Sequence, residues 1–295
     1  NGAEDEHPLI FSFHIQIMDP ETSSGEKVHV HPFYFNIGYF SCPQRNDMLN
    51  LFRNYIMQFF TIFIEIVSMS EIKNSLFIIT GAGSGIGQAL TLKAIAAGAK
   101  VIACDVNEKA LDETIALSNG KAERHLLDVA DAEQIKSFAS DIIKKHPGDT
   151  MILVNNAGVG LASGNFTETP LEDFEWLMNI NLYGVVRLTK AFLPHLLQQN
   201  KGHIVNVSSV YGLAGMPTNS AYSTAKFGVK GFTDVLKAEL LGTNVKVSSV
   251  HPGGIKTNIA RNSRISATQN IELAKKTMAK FEKVALKMPA ADAAD

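Results

Sequence analysis

From residue 75 onward, apolar and polar positions alternate between two regimes. Short strand-like segments rich in apolar residues occur at 76–79, 100–104, 125–127, 151–154, 203–207 and 245–250. Stretches of helical period separate them, at about 86–97, 107–118, 131–145, 171–198 and 221–241. Apolar runs of this kind read as strands covered on both faces. Strands that alternate with helices form right-handed βαβ units, which give a parallel sheet with helices on both sides. The pattern therefore predicts a single α/β domain over 69–295, a Rossmann-type doubly wound parallel sheet. A further helix is expected over 270–287. Beyond it the chain reads Met288-Pro-Ala-Ala-Asp-Ala-Ala-Asp295, with no apolar β run. The domain is thus expected to lack a last edge strand, leaving 245–250 as an open edge, and the sequence reads as a fragment.

Residues 1–68 follow different rules and read as an N-terminal extension. Up to residue 45 there is no clear period. Over 47–67, Asn50, Arg53, Asn54, Gln58, Thr61 and Glu65 recur at helical spacing among Phe52, Ile56, Phe59, Phe60, Phe63 and Ile66. This predicts a helix capped by Asp47 with a very wide apolar face. Such a face can pack on the body, pair with another subunit or lie on a membrane surface. Met69 looks like a natural start just ahead of the first strand. The favoured reading is an extension without a catalytic role, and membrane contact through 47–67 is the least favoured. His29 and His31 could share one face of a strand, but no second ligand pair supports a metal, and none is expected.

Composition narrows the function classes. The chain has 295 residues, 45% hydrophobic and 19% charged, as in ordinary globular proteins. A formal net charge of -2 gives no electrostatic case for nucleic acid. Two cysteines, Cys42 and Cys104, are too few for a disulfide framework and point to a reducing, cytoplasmic setting. No apolar run reaches membrane-spanning length without a charge.

Two segments carry chemistry. Thr80-Gly-Ala-Gly-Ser-Gly-Ile-Gly87 follows the first strand of the alternation and opens its first helix. A dinucleotide pyrophosphate sits at such a place, on free N–H groups at the positive end of a helix. The spacing is T-G-x-x-x-G-x-G, carried by Gly81, Gly85 and Gly87. Asp105 ends the next strand, where a carboxylate accepts the adenosine ribose hydroxyls and repels a 2′-phosphate. Neither Ser84 nor Val106 supplies a cation for that phosphate, so NAD is preferred over NADP. The second segment, Tyr222-Ser-Thr-Ala-Lys226, puts a phenol and an ammonium on one helix face. A nearby cation favours the phenolate and is expected to lower the tyrosine pKa.

Together with Asn155-Asn-Ala-Gly158, Asn181, Ser209 thirteen residues before Tyr222, Leu127-Asp-Val129 and His251-Pro-Gly-Gly-Ile-Lys-Thr257, these segments resemble the short-chain dehydrogenase/reductase family. The resemblance covers about 72–260. It implies that Tyr222 is the general acid/base, that Lys226 tunes it and holds the nicotinamide ribose, and that Ser209 binds the substrate oxygen. Asn181 would hold a water that relays protons to Lys226. It further implies cofactor contacts from Gly81, Ser84, Gly85, Ile86, Gly87, Asp105, Asp128, Val129, Asn155, Ala157, Gly158, Pro252, Gly253, Ile255 and Thr257. Asn155 can equally serve as a tie between strands. Ser209, Tyr211, Met216 and Tyr222 would meet the substrate.

The activity implied is NAD(P)-dependent interconversion of a secondary alcohol and a ketone. The alternative class is a catalytically silent NAD-binding regulator of the same fold. The candidate lining, which includes Val159, Val210, Leu213 and Ile259, is apolar and suggests a hydrophobic small-molecule alcohol or ketone. Arg261 and Arg264 are expected to be solvated in a mobile loop. The family further implies a homo-oligomer, dimer or tetramer, although a missing edge strand weakens the tetramer.

Overall fold

The computed structural model describes residues 72–285 and 288–294, and four short strands upstream of them. The chain forms two units, Asn1–Val67 and Ser68–Asp295. The first contains β1 (Ile10–Phe13), β2 (Gln16–Met18), β3 (Lys27–His29) and β4 (Phe33–Asn36). β1 pairs antiparallel with β4, and β2 with β3. The helix expected at 47–67 lies outside the described residues, as does His31.

The second unit opens with β5 (Leu76–Thr80), α1 (Gly85–Ala96), β6 (Lys100–Asp105), α2 (Glu108–Leu117) and β7 (Ala122–Leu126). It continues with α3 (Ala132–Lys145), β8 (Met151–Asn155), β9 (Leu161–Ala162), α4 (Leu171–Met178) and α5 (Gly184–Gln199). Then come β10 (Gly202–Val207), α6 (Ser220–Glu239), β11 (Val245–Val250), β12 (Ile255–Lys256), β13 (Arg264–Ile265), α7 (Ile271–Ala285) and β14 (Met288–Pro289). Six strands form one parallel sheet in the order β11-β10-β8-β5-β6-β7. Among the described residues no seventh strand joins it. β14 pairs with β12, so β11 is the outer strand of the ladder.

Side-chain alternation within each strand explains the apolar runs. Leu76, Ile78, Ile102, Met151, Leu153 and Ile204 pack on Phe138 and Ile142 of α3 and on Leu188 and Phe192 of α5. The odd partners Ile79, Val101, Ala103, Ile152 and Val154 pack instead on Ala94 of α1 and Leu111 of α2. Both faces are dry, so no position in the central strands needs to be polar.

Caps set the helix starts. The Asn107 side chain accepts the Ala110 N–H at 3.1 Å, and Asp131 accepts those of Glu133 and Gln134 at 3.0 Å.

Two elements differ from expectation. The third strand is Ala122–Leu126, not 125–127. It is an outer strand of sequence Ala-Glu-Arg-His-Leu whose side chains are mostly half exposed, so an apolar run does not mark it. The helix expected over 171–198 is interrupted by a π turn at Asn179–Tyr183, between α4 and α5. Such a turn inserts one residue into the helical ladder without changing the apolar pattern, and it is common at functional sites.

Candidate active site

The C-terminal ends of β5, β8 and β10 bring the candidate residues to one edge of the sheet. Thr80, the last residue of β5, anchors two of their loops. Its hydroxyl donates to Val154 O at 3.3 Å and accepts the N–H groups of Asn156 and Ala157, each at 3.1 Å. Asn156 returns the tie, donating from Nδ2 to Thr80 O at 2.8 Å and Gly81 O at 3.3 Å. The glycine loop and the Asn155–Gly158 loop are therefore one rigid unit. Gly81 and Gly85 lie at φ +66° and +55°, where a side chain is strained. A Cβ on Gly87 would run into the Gly81 carbonyl, so the first turn of α1 closes against the loop only because that atom is missing.

These residues fit a dinucleotide. The first turn of α1 carries no acidic residue, and the Ser84 side chain caps none of its N–H groups. The positive helix end, starting at Gly85 and Ile86, is left for an anion. Thr257 stands beside it, its Cγ2 3.0 Å from where a Gly85 Cβ would be. Across the sheet, the Asp105 carboxylate accepts the Gly83 and Asn107 N–H groups, each at 2.8 Å. It is thus fixed beside the loop and retains acceptor capacity for sugar hydroxyls. Asp128 accepts the Ala130 N–H at 2.8 Å, and Val129 packs where a Gly184 side chain would project.

The four catalytic candidates converge. Lys226 is 3% exposed and donates from Nζ to Val207 O at 2.9 Å. Its ammonium lies 5.7 Å from the centroid of the Tyr222 ring. Asn181 sits in the π turn, fully buried, and holds both backbone groups of Val159: Nδ2 donates to its O at 2.9 Å and Oδ1 accepts its N–H at 2.8 Å. Gly158 fills the space between Asn181 and Lys226, since a Cβ there would be 3.4 Å from Asn181 Oδ1 and 3.6 Å from Lys226 Nζ. Ser209 caps the short turn Val210–Gly212, accepting the Tyr211 N–H at 3.2 Å, and its side chain acts on Tyr222 in the sense that favours the phenolate. The Tyr211 ring meets Tyr222 edge-on at 5.9 Å.

Electrostatics at this centre differ from the expectation for Tyr222. Burial raises its pKa, with Ser209 partly opposing the rise. Burial also pushes Lys226 down to about 8. Burial dominates at both groups: the Lys226 ammonium is held by the Val207 carbonyl, 5.7 Å from the Tyr222 ring centroid, and no lowering of the tyrosine by the lysine emerges.

Other candidates have different surroundings. Asn155 ties strands: Nδ2 donates to Asn206 Oδ1 at 2.8 Å and Thr189 Oγ1 at 3.3 Å, and Asn206 continues to Thr233 at 2.9 Å. Met216 is exposed in the loop before α6. Pro252 accepts the Val210 N–H at 3.1 Å, Gly253 approaches the Val210 side chain, and Ile255 is buried in β12. Arg264 is not simply solvated. Its guanidinium carbon lies 3.7 Å from the Trp176 ring centroid, and Nη1 is 3.2 Å from Asp173 Oδ1.

Thr80, Asn156 and His251 lie inside the motifs but had no role of their own assigned from the sequence. Thr80 and Asn156 act through backbone contacts. His251 links Ser249 Oγ at 3.1 Å to Ser209 O at 3.2 Å. The arginine, tryptophan and aspartate meet only in three dimensions. A surface hollow of about 510 Å³ lies between β7 and α3 and contains none of the four catalytic candidates.

A glycine cradle at a helix N-terminus, joined through Thr80 to a buried Tyr/Lys/Ser/Asn cluster, is the arrangement of a nucleotide-dependent oxidoreductase. The family model described as short chain dehydrogenase matches residues 75–268, and the chain belongs to that family. Among its relatives, SadH of Mycobacterium tuberculosis, named as an oxidoreductase, is 42% identical over 205 residues, spanning 67% of this chain and 73% of SadH. A short chain dehydrogenase/reductase from Burkholderia phymatum, solved in complex with NAD, superposes with a TM-score of 0.68 at 32% identity, covering 77% of this chain and 85% of that one. The closed form of a serine dehydrogenase complexed with NADP+ superposes at 0.67 with 26% identity, over 74% of this chain and 86% of that one. The protein is thus an oxidoreductase of this family with a nicotinamide dinucleotide site. No helix among the described residues is long and apolar enough to cross a membrane.

Proposed function

We propose that the protein interconverts a secondary alcohol and a ketone with a hydrophobic body, using NAD in preference to NADP, as a cytoplasmic homo-oligomer. The observation that carries this reading is the convergence of Tyr222, Ser209, Lys226 and Asn181 beside the glycine loop. Gly81, Ser84, Gly85, Ile86, Gly87 and Thr257 would hold the pyrophosphate, Asp105 the adenosine ribose and Lys226 the nicotinamide ribose. The bound nicotinamide supplies or accepts the hydride.

In the reducing direction Tyr222 donates its phenolic proton to the ketone oxygen. Its raised pKa keeps it protonated at neutral pH, as an acid must be. Ser209 hydrogen-bonds the same oxygen as charge develops there. Lys226, with a pKa of about 8, carries most of its charge at pH 7 and in the proposed cycle holds the nicotinamide ribose. Asn181 holds Val159 and Gly158 in place, and in the proposed relay it also positions the water that returns a proton through Lys226. Asp105 favours NAD because a 2′-phosphate would meet its carboxylate next to the Gly83 N–H.

The test is a panel of apolar secondary alcohols and ketones with both cofactors. Wild-type protein is expected to turn over at least one pair with NAD, and Tyr222→Phe to lose about 10²–10⁴ of the rate, the usual contribution of a positioned acid. NAD binding without turnover by wild type across the panel would refute catalysis. Unchanged NAD/NADP selectivity in Asp105→Ala would refute the cofactor assignment.

A further inference from the structure

The segment after β12 is fastened to the loop after β8 at several points. β13 pairs in parallel with β9, aligning Arg264 with Leu161 and Ile265 with Ala162. The N–H groups of Arg264 and Ser266 donate to Gly160 O at 3.1 Å and Ala162 O at 3.0 Å. Gln269 Nε2 donates to Ser163 O at 3.0 Å, and Thr268 Oγ1 to Glu168 O at 2.7 Å. Backbone ladders of two residues are weak by themselves. The contact that reaches furthest is the Arg264 side chain, which crosses to α4, stacks on Trp176 and pairs with the mostly buried Asp173. A planar guanidinium suits both contacts at once.

This fastening leads to the catalytic centre by two routes. Trp176 packs against the cluster of Leu161, Leu177, Ala221 and Ala225, against which Tyr222 also packs. Gly160, which accepts the Arg264 N–H, follows Val159, whose two backbone groups are both held by Asn181. The clasp therefore braces the strand and helix against which the acid/base residue and its asparagine are set.

We propose that Arg264 is a positioning residue: by stacking on Trp176 and pairing with Asp173 it clasps the segment around β13 onto β9 and α4, and so sets the substrate-side wall of the Tyr222 pocket. The proposal rests on the alcohol/ketone reading for its kinetic arm only. In this arrangement the guanidinium face stacks on Trp176 and Nη1 is engaged by Asp173.

Trp176 is the single tryptophan of the chain, so its emission reports the clasp directly. The experiment compares the full-length wild type with Arg264→Ala, Arg264→Lys and Asp173→Asn. In Arg264→Ala, Trp176 emission is expected to shift to longer wavelength, and amide exchange over 160–162 and 264–266 to accelerate. KM for the best panel substrate should rise about tenfold while kcat changes less and NAD affinity is unchanged, the pattern of lost positioning rather than lost chemistry. Arg264→Lys keeps the charge but not the planar stack, and should recover part of the KM. A changed Trp176 signal with unaltered KM would overturn the positioning role. So would KM and NAD affinity weakening together, which would mean general loosening. If the wild type is inert on the panel, the proposed reaction fails on its own account. The clasp is then decided by emission and exchange, and no change in either would overturn it.

Discussion

Lys226 offers a test in which sign and size both come from the structure. Replacing it by methionine keeps the volume and removes the charge. Lys226 is 3% exposed, and burial lowers its pKa from 10.5 to about 8. In the unfolded chain the lysine holds its proton up to the higher value. Between pH 8 and 10.5 the unfolded state therefore binds more protons than the native one, and native stability rises with pH over that window. Below pH 8 both states are protonated and the cost of burying the charge is fully present. The shift corresponds to roughly 3 kcal/mol.

Urea unfolding of wild type and Lys226→Met at pH 7 and pH 10 isolates this effect, because other titrations cancel in the difference. The wild type is expected to gain roughly 2–3 kcal/mol relative to the variant between the two pH values. Parallel stability curves would refute the argument and mean that Nζ is hydrated in solution. A relative loss for the wild type would mean that its charge is favoured in the fold.

Three further outcomes follow from the same coordinates. Gly87→Ala drives a methyl into the Gly81 carbonyl; it should lower stability by about 1–3 kcal/mol and abolish NAD binding, checked by thermal unfolding and titration calorimetry. Asn206→Leu strips the partner from Asn155 Nδ2 and Thr233 Oγ1 and should cost on the order of 2–4 kcal/mol in urea unfolding. His203 is half-buried, and desolvation pushes its pKa down to about 4; since the unfolded histidine protonates near 6.5, stability is lost as pH falls from about 6.5 to 4. His203→Gln should be less acid-sensitive by roughly 2–3 kcal/mol across that interval.

Much of the architecture was legible because its physics is local or periodic. The four inner strands have two dry faces and announced themselves by their apolar content, and Val245–Val250 was marked by its valines. The sixth, Ala122–Leu126, was not marked, because a half-exposed outer strand need not be apolar throughout. The π turn left no trace either, since one extra residue in a helix leaves the apolar stripe nearly intact. The N-terminal strands escaped notice because 1–45 carries no period.

The site divides in the same way. The glycine spacing, the acid after the second strand and the Tyr/Lys pair are set by neighbours along the chain, and the sequence alone determined them. Which way their charges interact was decided by tertiary structure. Lys226 faces a carbonyl and a ring in a dry environment, so burial, a property of the whole fold, outweighs the attraction that spacing suggested for Tyr222. Likewise Arg264 and Asp173 are 91 residues apart. No pattern along the chain encodes their meeting over Trp176, because it depends on where two loops are carried by the sheet beneath them.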